Sequence, residues 1–197
     1  MKRYSLHFLY LLFNLFHISC SEKPKEITEP AMAQKQIVEP KEFFFDLKQY
    51  MENQIAVLDS LKPKAKKIVT TDGTRETKII DNINWKRELQ PFLEVDLNKP
   101  ACKDSYSIDT VADSNDKDAY TIMYQTKDLS LTTKLMTIEF NHYRKPIQIT
   151  VVNKTKNNLY SSYQNLIYRP LIGYSISGSQ DVNVAQKSNY SIEVKFE

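Results

Sequence analysis

The spacing of apolar residues changes after Pro100, and this change constrains the fold more than any other feature of the sequence. Beyond it, apolar and polar residues alternate, which is the pattern of β-strands with one face on a core. The predicted strands are residues 106–111, 120–125, 135–140, 147–152, 160–168, 172–177 and 190–196. The loops between them are short and polar. Such loops join neighbouring antiparallel strands and leave no room for crossover helices.

A helix is predicted ahead of the strands. Apolar residues three and four positions apart indicate an amphipathic helix over residues 41–61. Pro40 suits its first turn, and Pro63 follows its end. Leu58 lies on its apolar stripe, so we expect that side chain to be buried.

Two smaller elements are predicted between this helix and the strands. Asp72-Gly73 lies between two runs rich in β-branched residues, which favours a small β-ribbon over residues 66–80. Asp81 is then placed to cap a second helix. Pro91 predicts a kink or an end in that helix, because proline cannot donate a backbone hydrogen bond.

The expected fold class is therefore α+β. The N-terminal helices and a small hairpin are predicted to pack on a curved antiparallel meander of about six or seven strands, whose other face is at least partly wet. The strand at 160–168 carries aromatic and aliphatic residues on both faces. We expect its second face to be covered either by another segment of the chain, namely the stretch 20–40 or the ribbon at Asp72-Gly73, or by an apolar ligand.

The N-terminal segment has the pattern of a secretion signal. Lys2 and Arg3 precede an apolar run at residues 6–18, which is too short and too interrupted to span a bilayer. The run ends at Ser19, which is followed by Cys20. This arrangement resembles a bacterial lipoprotein signal, which implies cleavage between these two residues and acylation of Cys20.

The chain thus divides into three predicted parts. Residues 1–19 form the signal peptide, and residues 20–40 form a lipidated tether rich in proline, lysine and glutamate. Residues 41–197 form a single domain. Ser21 stands where an aspartate retains lipoproteins at the inner membrane in known sorting systems, so the resemblance favours the outer membrane and leaves its exposed face open.

Composition excludes several classes of function. The chain has 27 basic residues, and removal of Lys2 and Arg3 with the signal leaves 25 against 24 acidic ones, a net charge of +1. A strongly basic nucleic-acid binder is therefore not expected. His142 is then the remaining histidine and Cys102 the remaining unacylated cysteine, too few for a zinc site or an intramolecular disulfide. His142 lies in a predicted exposed turn close to Arg144, where it would be a poor general base for a catalytic triad. We expect no cofactor, no metal and no catalytic residues.

Two groups of side chains are candidate sites. The aspartates of the loop 113–118 could offer oxygens to calcium, but their spacing is not that of an EF-hand, so a solvated hairpin tip is expected. Tyrosines in strands usually serve sheet packing. Tyr160, Tyr163 and Tyr168 are nevertheless the candidate face for a ligand or partner.

The run Trp85-Lys86-Arg87-Glu88-Leu89, followed by Asp96-Leu97-Asn98-Lys99-Pro100, resembles a family of small lipoproteins of Gram-negative envelopes. That family joins an N-terminal helical part to a C-terminal sheet and brings no assigned activity or catalytic residues. The expected function is that of a non-enzymatic binding or assembly module for other envelope components, such as another envelope protein, anchored in the bilayer through Cys20. A carrier of a hydrophobic ligand such as a lipid or acyl chain is the alternative, and an envelope hydrolase comes third.

Overall fold

The structure is a computed structural model, and it describes residues 44–183 and 187–197. The described residues belong to one compact unit. The predicted signal peptide, the lipidation site at Cys20 and the tether at 20–40 lie outside the described residues and stay predictions. Within the described ranges, no helix has both the length and the apolar character needed to cross a bilayer.

Helix α1 (Leu47–Leu61) is the longest helix of the described part. It begins after Asp46, whose side chain accepts a hydrogen bond from the backbone N–H of Gln49 at 2.8 Å. The predicted start at residue 41 was therefore wrong, because Asp46 caps the helix and Phe44 precedes it. The predicted apolar stripe is confirmed, and its buried residues are Leu47, Met51, Ile55 and Leu58.

The rest of the described chain is dominated by one antiparallel sheet. Its strands are β1 (Ala65–Thr71), β2 (Thr74–Ile80), β3 (Tyr106–Ala112), β4 (Tyr120–Thr126), β5 (Thr133–Phe140), β6 (Pro146–Lys156), β7 (Tyr160–Arg169), β8 (Gly173–Val182) and β9 (Ser188–Phe196). Their spatial order is β2-β1-β9-β8-β7-β6-β5-β4-β3. The predicted antiparallel meander is confirmed from β3 to β9.

The predicted meander of six or seven strands corresponds to β3–β9, but the whole sheet has nine strands, because the ribbon predicted as a separate hairpin joins it. The turn at Asp72-Gly73 forms as expected, but β1 pairs along its whole length with β9, from Ala65 opposite Phe196 to Thr71 opposite Tyr190. This pairing satisfies the backbone groups of β9, which would otherwise lie at an open edge. The result is a mostly-sheet fold of nine strands with a few short helices.

Two short helices follow the ribbon. Helix α2 (Trp85–Glu88) is capped by Asn84, whose side chain accepts from the N–H of Arg87 at 3.0 Å, so the prediction that Asp81 is the cap was wrong. Helix α3 (Gln90–Leu93) begins after an interruption of the helix at Leu89. Pro91 lies in the first turn of α3, where a backbone N–H would have no partner within the helix, so its absence costs nothing. The predicted interruption near Pro91 is therefore confirmed.

One face of the sheet, which we call the helix face, carries the core. Ile138, Val151 and Leu166 on this face are fully buried. Trp85 of α2 packs edge-on against Phe196, with ring centroids 5.1 Å apart. The helices therefore cover the end of the sheet at which β7 turns into β8.

The opposite face, which we call the open face, carries polar side chains mixed with apolar ones such as Val152 and Ile167. Thr150, Asn165 and Ser177 lie on it in neighbouring strands and are half-buried. The β1–β2 ribbon extends the sheet and does not fold over this face, which was one of the two coverings expected from the sequence. The other covering that was expected from the chain, the tether, lies outside the described residues.

Candidate functional site

The helices leave part of the helix face uncovered, and a groove of about 460 Å³ lies there. Its floor is formed by strands β5 to β9, at the end of the sheet away from the β7–β8 turn. Its wall is the segment 91–102, which contains α3 and a short 3-10 helix (Pro100–Cys102). The side chains of the floor include Thr133, Asn153, Thr155, Ser162, Gln164 and Tyr190.

A row of hydrogen bonds runs across the floor, and we call its four residues the amide ladder: Thr133, Asn153, Gln164 and Tyr190. The Thr133 hydroxyl donates to Asn153 Oδ1 at 3.0 Å, and Asn153 Nδ2 donates to Gln164 Oε1 at 3.4 Å. Gln164 Nε2 then donates to the Tyr190 hydroxyl at 3.2 Å. Each amide NH₂ has a second hydrogen beyond these bonds, and the hydroxyls keep acceptor capacity. The ladder can therefore both donate to a ligand and accept from one.

Gly178 makes this row continuous across β8. It is the cross-strand neighbour of both Gln164 and Tyr190. A Cβ at this position would lie 2.4 Å from the backbone oxygen of Tyr163 and 2.8 Å from the Tyr190 hydroxyl. Tyr190 reaches Gln164 because glycine leaves the space above β8 empty.

The wall of the groove is fixed to the start of the described chain. Asn98 accepts from the N–H of Phe44 at 3.0 Å, and its Nδ2 donates to the carbonyl of Phe44 at 3.2 Å. Asp96 accepts from the N–H of Asn98 at 2.9 Å. These bonds hold a tight turn that places Leu97 and Lys99 along the groove.

The end of the groove nearest β3 contains Tyr106 and Cys102. The Tyr106 hydroxyl donates to the carbonyl of Thr133 at 2.7 Å, and burial raises the pKa of Tyr106 to about 12. Burial also raises the pKa of the Cys102 thiol, the largest of the influences on it. At neutral pH both groups keep their protons, so Cys102 does not supply a nucleophilic thiolate.

The three predicted tyrosines do not share one surface. Tyr168 is fully buried on the helix face, and its hydroxyl donates to Gln54 Oε1 at 3.2 Å. Tyr163 lies on the open face, is 40% exposed and has Lys154 Nζ 5.6 Å from its ring centroid. Tyr160 is also exposed, at the start of β7. The alternation of strand side chains places Tyr163 on the opposite face from the other two.

The amide ladder was missed at the sequence level, although it leaves a signal. Val151 and Leu166 are core residues, and Asn153 and Gln164 stand on the same face of the same strands, where the apolar alternation would place further core residues. A polar residue that interrupts the apolar face of a predicted strand is therefore the informative pattern. The pattern is ambiguous in the sequence, because polar residues on a strand face also occur where a core simply ends.

The loop 113–118 forms turns within itself. Asp113 accepts from the N–H groups of Asn115 and Asp116, and Asp116 lies 3.3 Å from His142 Nδ1 in the β5–β6 turn. In the part of the chain that the structure describes, no three His, Cys, Asp or Glu side chains are grouped closely enough to hold a metal ion.

Comparison with protein-family models, with curated proteins and with solved structures finds no match for this chain. The resemblance to envelope lipoproteins therefore stays a prediction.

Proposed function

We propose that this protein is an envelope lipoprotein, held at the outer membrane by an acyl group on Cys20, and that its domain is a non-enzymatic binding module. Its ligand is a neutral saccharide chain, rich in hydroxyl and amide groups, that lies in the groove over the amide ladder. The observation that carries this proposal is the hydrogen-bonded row from Thr133 to Tyr190 on the groove floor.

The chemistry of the floor favours a polar ligand over an acyl chain. An acyl carrier presents an apolar cavity, whereas this floor is built from amides and hydroxyls. A saccharide offers hydroxyls that donate and accept in turn, which matches side chains that do the same. Tyr190 adds a ring beside these groups, and an aromatic surface with a polar edge suits the mixed character of a sugar. The hydrophobic-ligand carrier is therefore the weaker proposal.

The acidic side chains that line the groove accept hydrogen bonds from the protein itself, which supports binding rather than hydrolysis. Glu94 accepts from Gln90 Nε2 at 2.9 Å, and Asp96 holds the backbone of its own turn. Paired carboxylates that flank a scissile bond would instead face each other across the site. His142 lies in the β5–β6 turn, at the end of the sheet opposite the groove.

Calorimetric titration of the unacylated mature chain, residues 20–197 with Cys20→Ser, tests the proposal. We expect saturable binding of an N-acetylated amino-sugar oligomer and no binding of a fatty acid. Asn153→Ala combined with Gln164→Ala should weaken saccharide binding at least tenfold, since each lost hydrogen bond contributes about 1 kcal/mol. Asn165→Ala combined with Gln148→Ala, on the open face, is the matched control and should bind as the parent does. Saturable fatty-acid binding that the ladder variant does not alter would favour the carrier instead.

A further inference from the structure

Exposed apolar side chains gather at the end of the sheet where β7 turns into β8. Leu61 closes α1 and is 61% exposed, and Leu171 and Ile172 of the β7–β8 turn are 60% and 56% exposed. Leu61 and Leu171 line one shallow hollow together with Phe196 and the acidic residue Glu197. Single exposed apolar residues are ordinary, but a contiguous group marks a contact surface. We call the side chains of Leu61, Leu171 and Ile172 the apolar tip.

The turn presents one of these side chains at a conformational cost. Leu171 has φ of +59°, in the left-handed region that favours glycine. The side chain that occupies this position is nevertheless a leucine that points away from the core, as its exposure shows. Strain of this kind is retained where the side chain has a role.

A cluster of cations lies on the open face beside the apolar tip. Arg169, Gly173, Lys195 and Lys66 are successive cross-strand neighbours in β7, β8, β9 and β1. The three cations line a hollow of about 440 Å³, which we call the cationic cup. Lys66 and Lys195 stand directly opposite each other, an arrangement of like charges that destabilises a sheet.

The three cations of the cup form no salt bridge with a side chain of the described ranges. Glu193 is the carboxylate among its described lining residues, and within the described ranges none of the three cations lies within 4.0 Å of a carboxylate oxygen. Gly173 carries no side chain between Arg169 and Lys195, and a Cβ there would lie 2.0 Å from the carbonyl oxygen of Val194, so the close approach of β9 requires glycine. The cup therefore offers room and positive charge for an anionic group.

We propose that this end of the domain docks on an anionic phospholipid bilayer, with the apolar tip in the interfacial region and lipid phosphates in the cationic cup. Cations bordering exposed aliphatic side chains are the chemistry of interfacial membrane binding. Guanidinium and ammonium groups bind phosphate oxygens well. A free phosphate ion would explain the cup but not the adjoining apolar tip, so the bilayer is the source of phosphate that accounts for both.

This docking would be a second membrane contact, separate from the acyl group on Cys20, and it sets the orientation of the domain. Gln164 of the amide ladder precedes Arg169 by five residues, which is roughly 17 Å along the strand. The groove would therefore face away from the bilayer when the β7–β8 turn contacts it.

Vesicle co-sedimentation of the chain 20–197 with Cys20→Ser tests this proposal without the acyl anchor. We expect binding to vesicles of phosphatidylglycerol with phosphatidylcholine and much weaker binding to phosphatidylcholine alone. Lys66→Gln with Lys195→Gln removes a repulsive pair, so the fold is retained, and the affinity should fall about thirtyfold. Leu171→Asn, which suits the left-handed conformation, should also weaken binding several-fold.

Matched controls lie at the other end of the sheet. Lys154→Gln with Lys156→Gln removes two cations from β6, and Leu159→Asn replaces a side chain that is 73% exposed in the β6–β7 turn. These variants should bind as the parent does. Three results would each overturn the proposal. They are an equal loss of vesicle affinity in the test and control variants, vesicle binding that does not depend on lipid charge, and stabilisation of the fold by inorganic phosphate with no vesicle binding.

Discussion

At the residue scale, Glu88 joins three elements of the core. Its carboxylate lies 2.7 Å from Lys67 Nζ of β1 and accepts from the hydroxyl of Tyr174 in β8. Burial by itself raises the pKa of Glu88, but the hydrogen bonds from Lys67 and Tyr174 outweigh it and hold that pKa below its ordinary value. The charged form of Glu88 therefore stabilises the folded state.

Glu88→Gln should lower the free energy of unfolding by about 1–2 kcal/mol at pH 7, since a charge-assisted bond becomes a neutral one. The folded pKa of Glu88 lies below the unfolded one, so its contribution is present above the ordinary value of 4.5 and is lost as the pH falls below it. Denaturant unfolding of parent and variant from pH 7 to pH 3 measures this. The two should converge at the acid end, and Glu52→Gln on the exposed face of α1 should change little throughout. A difference that stays constant down to pH 3 would argue against the ionised contact.

At the element scale, α1 depends on one buried stripe. Leu58 is 1% exposed, and the neighbouring Val57 is 41% exposed on the same helix. The two positions are adjacent in the same helix and differ mainly in burial, so the same substitution at each isolates chiefly the effect of burial.

Leu58→Asp should cost about 3 kcal/mol or more, because it places a charge in the core without a partner. Val57→Asp is the matched control and should cost less than about 1 kcal/mol. Thermal unfolding followed by circular dichroism compares the two. If the Leu58 variant melts within a degree or two of the parent, the helix does not pack on the sheet as described.

The periodic elements could be predicted from the sequence, and the long-range ones could not. The stripe of α1 and the alternation of β9 are local patterns, so residues such as Leu58 and Val194 were placed correctly. The pairing of β1 with β9 joins segments more than a hundred residues apart and leaves no local mark. The ladder was missed because the contact of Gln164 with Tyr190 depends on the space above Gly178.

At the scale of the whole molecule, we propose three functional parts: an acyl anchor at Cys20, a docking end at the β7–β8 turn and a groove that binds a ligand. The proposal of an anchor is based on the sequence around Cys20. The proposals of the groove and the docking end are based on the structure of the described domain.

Cys20→Ser in the full chain should release the protein from the membrane fraction or leave its precursor uncleaved. The physical reason is the loss of the thiol that carries the acyl chain, since one weak interfacial contact does not replace a lipid anchor. Fractionation together with the mass of the N-terminal peptide measures this. Cys102→Ala changes the buried cysteine of the domain and should leave fractionation unchanged. An unaltered membrane fraction for Cys20→Ser, with no acyl mass in the parent, would exclude the anchor.

The side-chain amide resonances of Asn153 and Gln164 test the central claim most directly. In a ¹⁵N-labelled chain 20–197 with Cys20→Ser, titration with an N-acetylated amino-sugar oligomer should shift the NH₂ signals of both residues. Those of Asn165 and Gln148, on the open face, should stay in place. Saturable shifts confined to the open face, or ladder signals that do not move at saturating oligomer, would contradict the assignment of the groove as the binding site.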